Sequence, residues 1–351
     1  MQTLYQKNKL LVIVGPTASG KSELAVTLAK KFNSEIISAD SRQIYKGMDL
    51  GTGKIPGKWH TSLIHGRELV MYLYKNVPHH LIDFTNPKRQ YSVALFQRDA
   101  KKIIADVVKR GKLPILCGGT GHWIDAVVYN QNIPNVKPNP KLRKKLQRQT
   151  AEELFARIVH LDPARAKTID RHNKHRLIRA LEIILTTGKP VPPLRVIPSA
   201  SDLSAEALAK EEGSLNTDEL SNLRDSSTRM HSLGMAHWDV LWIGINPSQK
   251  TLYQKIDKRL KQRLKAGMVK EVSRLHKQGL PWQKLESFGL EYKFIVQYLQ
   301  KKLSLDETQT QLSFAIKHYS KRQMTWWKKN KQIKWIKTPP QAAKLLEKFL
   351  K

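Results

Sequence analysis

Cysteine occurs once in 351 residues, at Cys117, which excludes an internal disulfide framework and a zinc cluster built on thiolates. A reducing compartment, the cytoplasm, suits such a chain. No run approaches the roughly 20 apolar residues that a membrane-spanning helix needs, so no membrane partner is expected. The opening MQTLYQKNK lacks the apolar stretch of a secretory signal, so none is expected. Acidic residues are scarce too: 29 Asp and Glu stand against 62 Lys and Arg, leaving +33. So large an excess spreads a positive field over the surface and points to a polyanion, above all nucleic acid. Lysines that merely keep the chain soluble are the alternative.

What is present begins with short apolar runs. Residues 10–14 (LLVIV), 35–38 (EIIS) and 113–117 (LPILC) predict buried strands, each closed by a glycine or polar turn. Between them Ser92 to Lys109 predicts a helix, because Val93, Phe96, Ile103, Ile104 and Val107 keep helical spacing. Strands alternating with helices imply an α/β fold with a parallel sheet and with function at the strands' carboxyl ends.

From about Pro134 the texture changes. KPNPKLRKKLQR is basic and broken by proline, and helical patterns follow over 151–158 and 174–185. Residues 135–199 are therefore expected to form an inserted helical domain, with 1–134 and 240–351 as the core. Residues 200–236 hold seven acids, seven serines and only three Lys or Arg, which marks 200–239 as a mobile excursion without assigned chemistry. VLWIGI predicts a returning core strand. One long basic helix is expected from about Gln249 to His276, with Gly267 its weak point, and the rest continues helical into a Lys- and Trp-rich end.

Gly15-Pro16-Thr17-Ala18-Ser19-Gly20-Lys21-Ser22 fits G-x-x-x-x-G-K-[ST] between a strand and a helix. Such a loop turns backbone N–H groups toward a phosphate, Lys21 adds a point charge, and Ser22 offers a hydroxyl to Mg²⁺. The motif leaves open whether that phosphate is ever hydrolysed. The next strand ends in Asp40-Ser41-Arg42-Gln43, where Asp40 reads as a metal-holding acid, a general base or a helix cap. ILCGGTGHW then leaves Thr120 as the one hydroxyl among glycines 118, 119 and 121, on a turn that either approaches a ligand or simply reverses the chain.

The basic groups come next. HRLIRALE sets Arg176 and Arg179 on one helix face. DKRLKQRLK carries Lys258, Arg259, Lys261, Arg263 and Lys265. Residues 317–337 hold eight Lys or Arg, no acid, and Tyr319, Trp326, Trp327 and Trp335. Cations for a phosphate backbone beside aromatic faces suit RNA. A solvated face is the alternative for any single run, and a core role is the alternative for Trp326 and Trp327.

Taken in order, GPTASGKS, EIISADSRQIYKGMDLGT, HHLIDF, YSVALFQRDA, LPILCGGTG, LIRALE, the Ile256 to Val272 helix and SKRQMTW resemble the tRNA dimethylallyltransferases, also called tRNA isopentenyltransferases. The resemblance covers most of the chain apart from 190–240 and the last fifteen or so residues. It implies a P-loop NTPase-like parallel sheet core flanked by helices, with an inserted helical domain that contacts tRNA. It further implies a monomer that uses Mg²⁺ to move the dimethylallyl group of dimethylallyl diphosphate onto the exocyclic amine of the adenosine 3′ of the anticodon. The loop from Gly15 to Ser22 then grips the diphosphate rather than a nucleotide for hydrolysis. Asp40 becomes the proton acceptor, Thr120 a contact to the reacting centre, and Arg259 a holder of the diphosphate. Ser41, Arg42 and Gln43, with Asp40 and Thr120, read the target adenosine and its neighbour. Arg143 and the segment His175, Arg176, Leu177, Ile178 and Arg179 align with tRNA-contacting positions.

The chain departs from the commoner family form in several places. His175-Arg176 stand where paired arginines are usual, His122-Trp123 where Leu-Tyr is usual, and SFGLEYK where Ile-Gly-Tyr is usual. AIKHYSKRQ lacks an arginine often found before KRQ. Two other classes compete. An adenylate isopentenyltransferase shares the P-loop and the aspartate but needs no RNA clamp. An RNA-binding P-loop kinase or NTPase predicts a second metal-holding acid after a strand, for which Asp83 in HHLIDF is the candidate.

Overall fold

The computed structural model describes residues 8–64, 67–192 and 238–351, and the acidic stretch 200–236 lies outside them. The chain divides into two compact units, Met1–Val128 with Asn216–Lys351, and Tyr129–Leu215.

The first unit is organised by one sheet. Its strands are β1 (Lys9–Val14), β2 (Ser34–Ser38), β3 (Lys58–Ile64), β4 (Arg67–Tyr74), β5 (Val77–His80), β6 (Leu113–Cys117), β7 (Asp239–Ile245) and β8 (Lys334–Ile336), in the order β3-β4-β5-β2-β6-β1-β7-β8. From β5 to β8 every pairing is parallel, while β3-β4 and β4-β5 are antiparallel. β1, β2 and β6 are buried along their whole length, as strands covered on both faces are, which is why they read as short aliphatic runs.

Helices α1 (Lys21–Lys31), α2 (Val93–Lys109) and α3 (Gly121–Val128) follow β1, the β5 loop and β6. α2 begins where Ser92 accepts the Leu95 N–H at 3.3 Å, a side-chain cap on an otherwise unpaired donor. Leu24, Ala25, Leu28 and Ala29 of α1 pack with Ile13, Ile36 and Ile115 of the sheet.

The second unit holds α4 (Pro140–Gln147), α5 (Ala151–Leu161), α6 (Pro163–Ala166) and α7 (Lys174–Thr187) among its described residues. Its own core joins Leu146, Leu154, Ile158, Leu177, Ile178 and Leu181. α5 starts with a reciprocal cap between Thr150 and Glu153, and α7 ends at Gly188.

The chain returns to the first unit through β7 and then α8 (Gln249–Lys265), α9 (Met268–Lys277), α10 (Trp282–Glu286), α11 (Leu290–Leu299), α12 (Leu305–Trp327) and α13 (Pro339–Leu350). The single helix expected over 249–276 is two, because Gly267 takes a left-handed φ of 105° that no continuous helix contains. In the Lys- and Trp-rich end Trp327 takes the core alternative, buried at 1% exposure, while Lys334–Ile336 differs from expectation by pairing with β7 as a strand. The β3-β4 hairpin was not expected either. No helix among the described residues is long and apolar enough to cross a membrane.

Candidate active site

β2, β6 and β1 are adjacent and parallel, so the turns that leave their carboxyl ends open side by side. Three motifs far apart in sequence thereby line one cavity of about 270 Å³, together with side chains from α8 and α12 and from the segment opening α11.

The loop after β1 supplies one wall. α1 begins at Lys21 with Gly20 at φ 100° and no side-chain cap, which leaves its first N–H groups to an anion. Lys21 Nζ donates to the Pro16 carbonyl at 3.3 Å. Burial lowers its pKa, against the pull of neighbouring Cys117 and Asp40. Arg259, from α8, donates to the Thr17 hydroxyl. Burial, reinforced by Arg263 one turn along, pushes the Arg259 guanidinium down to about 10. Arg263 lies 3.4 Å from Glu291, whose carboxyl burial pushes up. A group of cations penalised by burial in this way gains from any anion that enters.

The turns after β2 and β6 supply the opposite wall and are knitted together. Thr120 Oγ1 accepts the Ser41 N–H at 3.1 Å and lies 3.4 Å from the Ser41 hydroxyl, while the Thr120 N–H donates to the Ala39 carbonyl at 3.2 Å. Asp40 Oδ1 accepts the Arg42 N–H at 3.0 Å, so the carboxylate caps its own turn and also faces the cavity. Gln43 donates to the Gly53 carbonyl at 3.3 Å. Phe288, Leu290, Ile316 and Tyr319 add apolar and aromatic surface. Burial pushes the Cys117 thiol up to about 12, and it donates to the Lys21 carbonyl at 3.7 Å, so it serves as packing rather than as a nucleophile.

Of the residues singled out in the sequence, Thr17, Lys21, Ser22, Asp40, Ser41, Arg42, Gln43, Thr120 and Arg259 all line this cavity. Gly15, Pro16, Ala18, Ser19 and Gly20 shape the loop around it. The candidate tRNA contacts Arg143 and His175 to Arg179 belong to the second unit. There Glu182, with no exposed side-chain surface, accepts from Arg143 at 2.7 Å and from Arg179 at 2.6 Å. His175 and Arg176 are exposed, whereas Leu177 and Ile178 are packed in that unit's core. Asp83, the candidate second acid of a nucleotide hydrolase, is held by Lys54 at 2.5 Å and by the Trp59 indole N–H at 3.0 Å. Among the described residues no group of three His, Cys, Asp or Glu is placed to hold a metal ion.

Gln323 and Glu291 also line the cavity with no role read from the sequence, and Tyr319, read there only as an aromatic face for RNA, lines it too. They come from helices late in the chain, and only the SKRQ segment carried any signal.

An IPP transferase family model matches residues 43–330, and an isopentenyl transferase model matches residues 8–62. The chain belongs to the IPP transferase family. A tRNA dimethylallyltransferase of Pelotomaculum thermopropionicum is 34% identical over 340 residues, 96% of this chain and 93% of that one. One of Carboxydothermus hydrogenoformans is 35% identical over 348 residues, 97% and 96% of the two chains. The crystal structure of the full-length tRNA isopentenylpyrophosphate transferase from Bacillus halodurans superposes with a TM-score of 0.59 at 29% identity, covering 98% of this chain and 95% of that one. Its counterpart from Staphylococcus epidermidis gives 0.59 at 31%, covering 97% and 100%. The family and the P-loop-like α/β fold anticipated from the motifs are thus those of the chain, with the antiparallel hairpin as an addition.

Proposed function

We propose that this IPP transferase moves the dimethylallyl group from dimethylallyl diphosphate to the exocyclic amine of the adenosine 3′ of the anticodon in tRNA, releasing pyrophosphate. The observation that carries this reading is the shared cavity. A phosphate loop with desolvated cations faces a carboxylate and a hydroxyl pair, with apolar surface beside them. The relatives' names, which specify dimethylallyl transfer and tRNA, support it.

The chemistry follows from the charges. Breaking the allylic C–O bond builds positive charge on the five-carbon group and negative charge on the departing diphosphate. Lys21, Arg259 and the uncapped N–H groups of α1 stabilise that negative charge from fixed positions. The adenine nitrogen attacks the allylic carbon, and Asp40 accepts its proton at a carboxylate oxygen. Thr120 and Ser41 hold that turn beside the reacting centre. Mg²⁺ fits the residues present, because it is usually bound through substrate phosphates, one or two carboxylates and water rather than by an all-protein cage. Ser22 would hold it beside the substrate's phosphates, and when bound it neutralises charge on the leaving diphosphate.

The target base leaves its stack to enter the cavity, where Ser41, Arg42 and Gln43 read it. Residues 135–199, through Arg143, His175, Arg176 and Arg179, act as the tRNA-contacting domain. The protein works as a monomer in the cytoplasm.

The isopentenyl transferase match over residues 8–62 favours one second reading, transfer to a free adenylate. Purified protein with labelled dimethylallyl diphosphate and Mg²⁺ is given tRNA in one tube, AMP in another and ATP in a third. Label in tRNA is the expected result. Label in AMP alone selects the second reading, and release of phosphate from ATP with no label in either rejects both.

A further inference from the structure

Gln323 of α12 is 7% exposed and sits where the loop after β1 and the turn after β6 come closest to one another. Its Oε1 accepts the Thr17 N–H at 2.8 Å, and its Nε2 donates to the Gly119 carbonyl at 2.9 Å. A single amide thus spans two loops, each through backbone. Strand pairing fixes those loops only at their bases, with Leu11 opposite Ile115 and Ile13 opposite Cys117. Thr17 and Gly119 lie beyond the last paired residues, at the tips. The approach is close enough that a Cβ at Gly119 would stand 2.5 Å from Gln323 Nε2 and 3.7 Å from Lys21 Nζ, so a side chain there would displace the Gln323 amide. Three residues along α12, Trp326 donates its indole N–H to Asp125 of α3 at 3.0 Å, which anchors the same helix to the element that follows the turn.

Thr17 is held from a second side as well, its hydroxyl accepting from Arg259. Next to Gly119 stands Thr120, bonded to Ser41. Gln323 therefore links the tip of the loop that grips an anion to the turn that carries Thr120, beyond the bonds at the strand ends.

We propose that Gln323 is a positioning residue for the transfer. Its amide fixes the separation between the diphosphate loop and the Asp40–Thr120 wall, so that leaving group and acceptor stand in line. This rests on the transfer reading above. A misplacement of about 1 Å between reacting groups is enough to cost roughly 100-fold in rate. The amide suits the task because one end accepts and the other donates, as the Thr17 N–H and the Gly119 carbonyl require.

Two variants separate positioning from scaffolding. Gln323→Met keeps the volume and loses both hydrogen bonds. The expected result is a kcat for tRNA modification down about 100-fold, a KM for dimethylallyl diphosphate changed only a few-fold, and a thermal midpoint close to wild type. Gln323→Glu keeps an acceptor for Thr17, but its carboxylate faces the Gly119 carbonyl, and only the protonated acid can donate there. Its rate relative to wild type should therefore rise as pH falls, a recovery that a scaffolding role does not produce. Wild-type kcat in Gln323→Met overturns the proposal. So does a loss in both variants that tracks unfolding, with no recovery of Gln323→Glu at low pH. A wild-type enzyme that moves no label to tRNA removes the transfer reading and this role with it, which distinguishes that failure from the other two.

Discussion

Around the cavity of the first unit, burial lowers the proton affinity of Lys21 and Arg259. In the second unit Arg143 gains proton affinity from its bond to Glu182. Burial alone would raise the Glu182 carboxyl, yet bonds from Arg143, the Asn139 N–H and Arg179 hold it down to about 2. The two sets of cations are equivalent in a count of charge and opposite in condition. Those of the cavity are desolvated with incomplete counter-charge and gain from an arriving diphosphate. Those of the second unit already share a buried carboxylate, which ties α4 to α7 and leaves less of their charge for a partner. Net charge points to a polyanion, but pairing decides which cations are available to bind it.

The largest test of the comparison falls on the cavity's one carboxylate beside the hydroxyl pair. Asp40→Ala should lower single-turnover transfer about 1000-fold, within the range for losing a positioned proton acceptor, while tRNA affinity by filter binding stays near wild type. Lost affinity with an unchanged rate would move Asp40 from chemistry to recognition. A smaller effect is expected in stability. His79, 5% exposed in β5 and lining the cavity, donates from Nδ1 to the Val77 carbonyl at 2.9 Å. Burial, with a smaller push from His80, lowers its pKa from 6.5 to about 4. Between those values the unfolded chain takes up a proton that the folded one refuses. Its contribution is therefore complete above pH 6.5 and is lost as pH falls toward 4, on the order of 3 kcal/mol in all. Urea midpoints at pH 7 and 4.5 measure the loss, and His79→Asn, which keeps a donor near the Nδ1 position, should show a smaller one. Equal losses in both proteins would assign the acid sensitivity to other groups.

How much of this was legible in the sequence followed from how local each signal is. The phosphate loop is contiguous and lies between a buried strand and a helix, so residues 15–22 announced their chemistry. Asp40 and Thr120 were found because each immediately follows an aliphatic strand, and adjacent parallel strands bring such turns together. The β3-β4 hairpin was missed although β4 carries the apolar run LVMYLY, because its partner β3 is exposed from Lys58 to Thr61 and offers no run of its own. Gln323 was passed over because its partners, the Thr17 N–H and the Gly119 carbonyl, are backbone groups about 300 and 200 residues away, and no local pattern encodes them. The basic runs took more than one part in the structure. Trp327 is core, β8 is a strand, and Arg143 and Arg179 are half occupied by Glu182.

That occupancy makes Arg179 the sharpest place to test the second unit. Arg179 also donates to the Val136 carbonyl at 3.1 Å, so its guanidinium is held in place rather than free to sweep the surface. If it contacts tRNA while bonded to Glu182, Arg179→Ala should weaken tRNA binding about 10-fold at low salt and reduce the slope of log affinity against log salt by about one. Arg179→Lys keeps the charge and should keep most of that slope while losing the two-pronged bond. The unit should remain folded in both variants, because Glu182 retains Arg143 and the Asn139 N–H at 2.7 Å. An unchanged salt slope in Arg179→Ala would mean that Glu182 takes the whole of its charge. Recognition by the second unit would then rest on the exposed His175 and Arg176, and the contrast between an open anion site and a closed ion cluster would be complete.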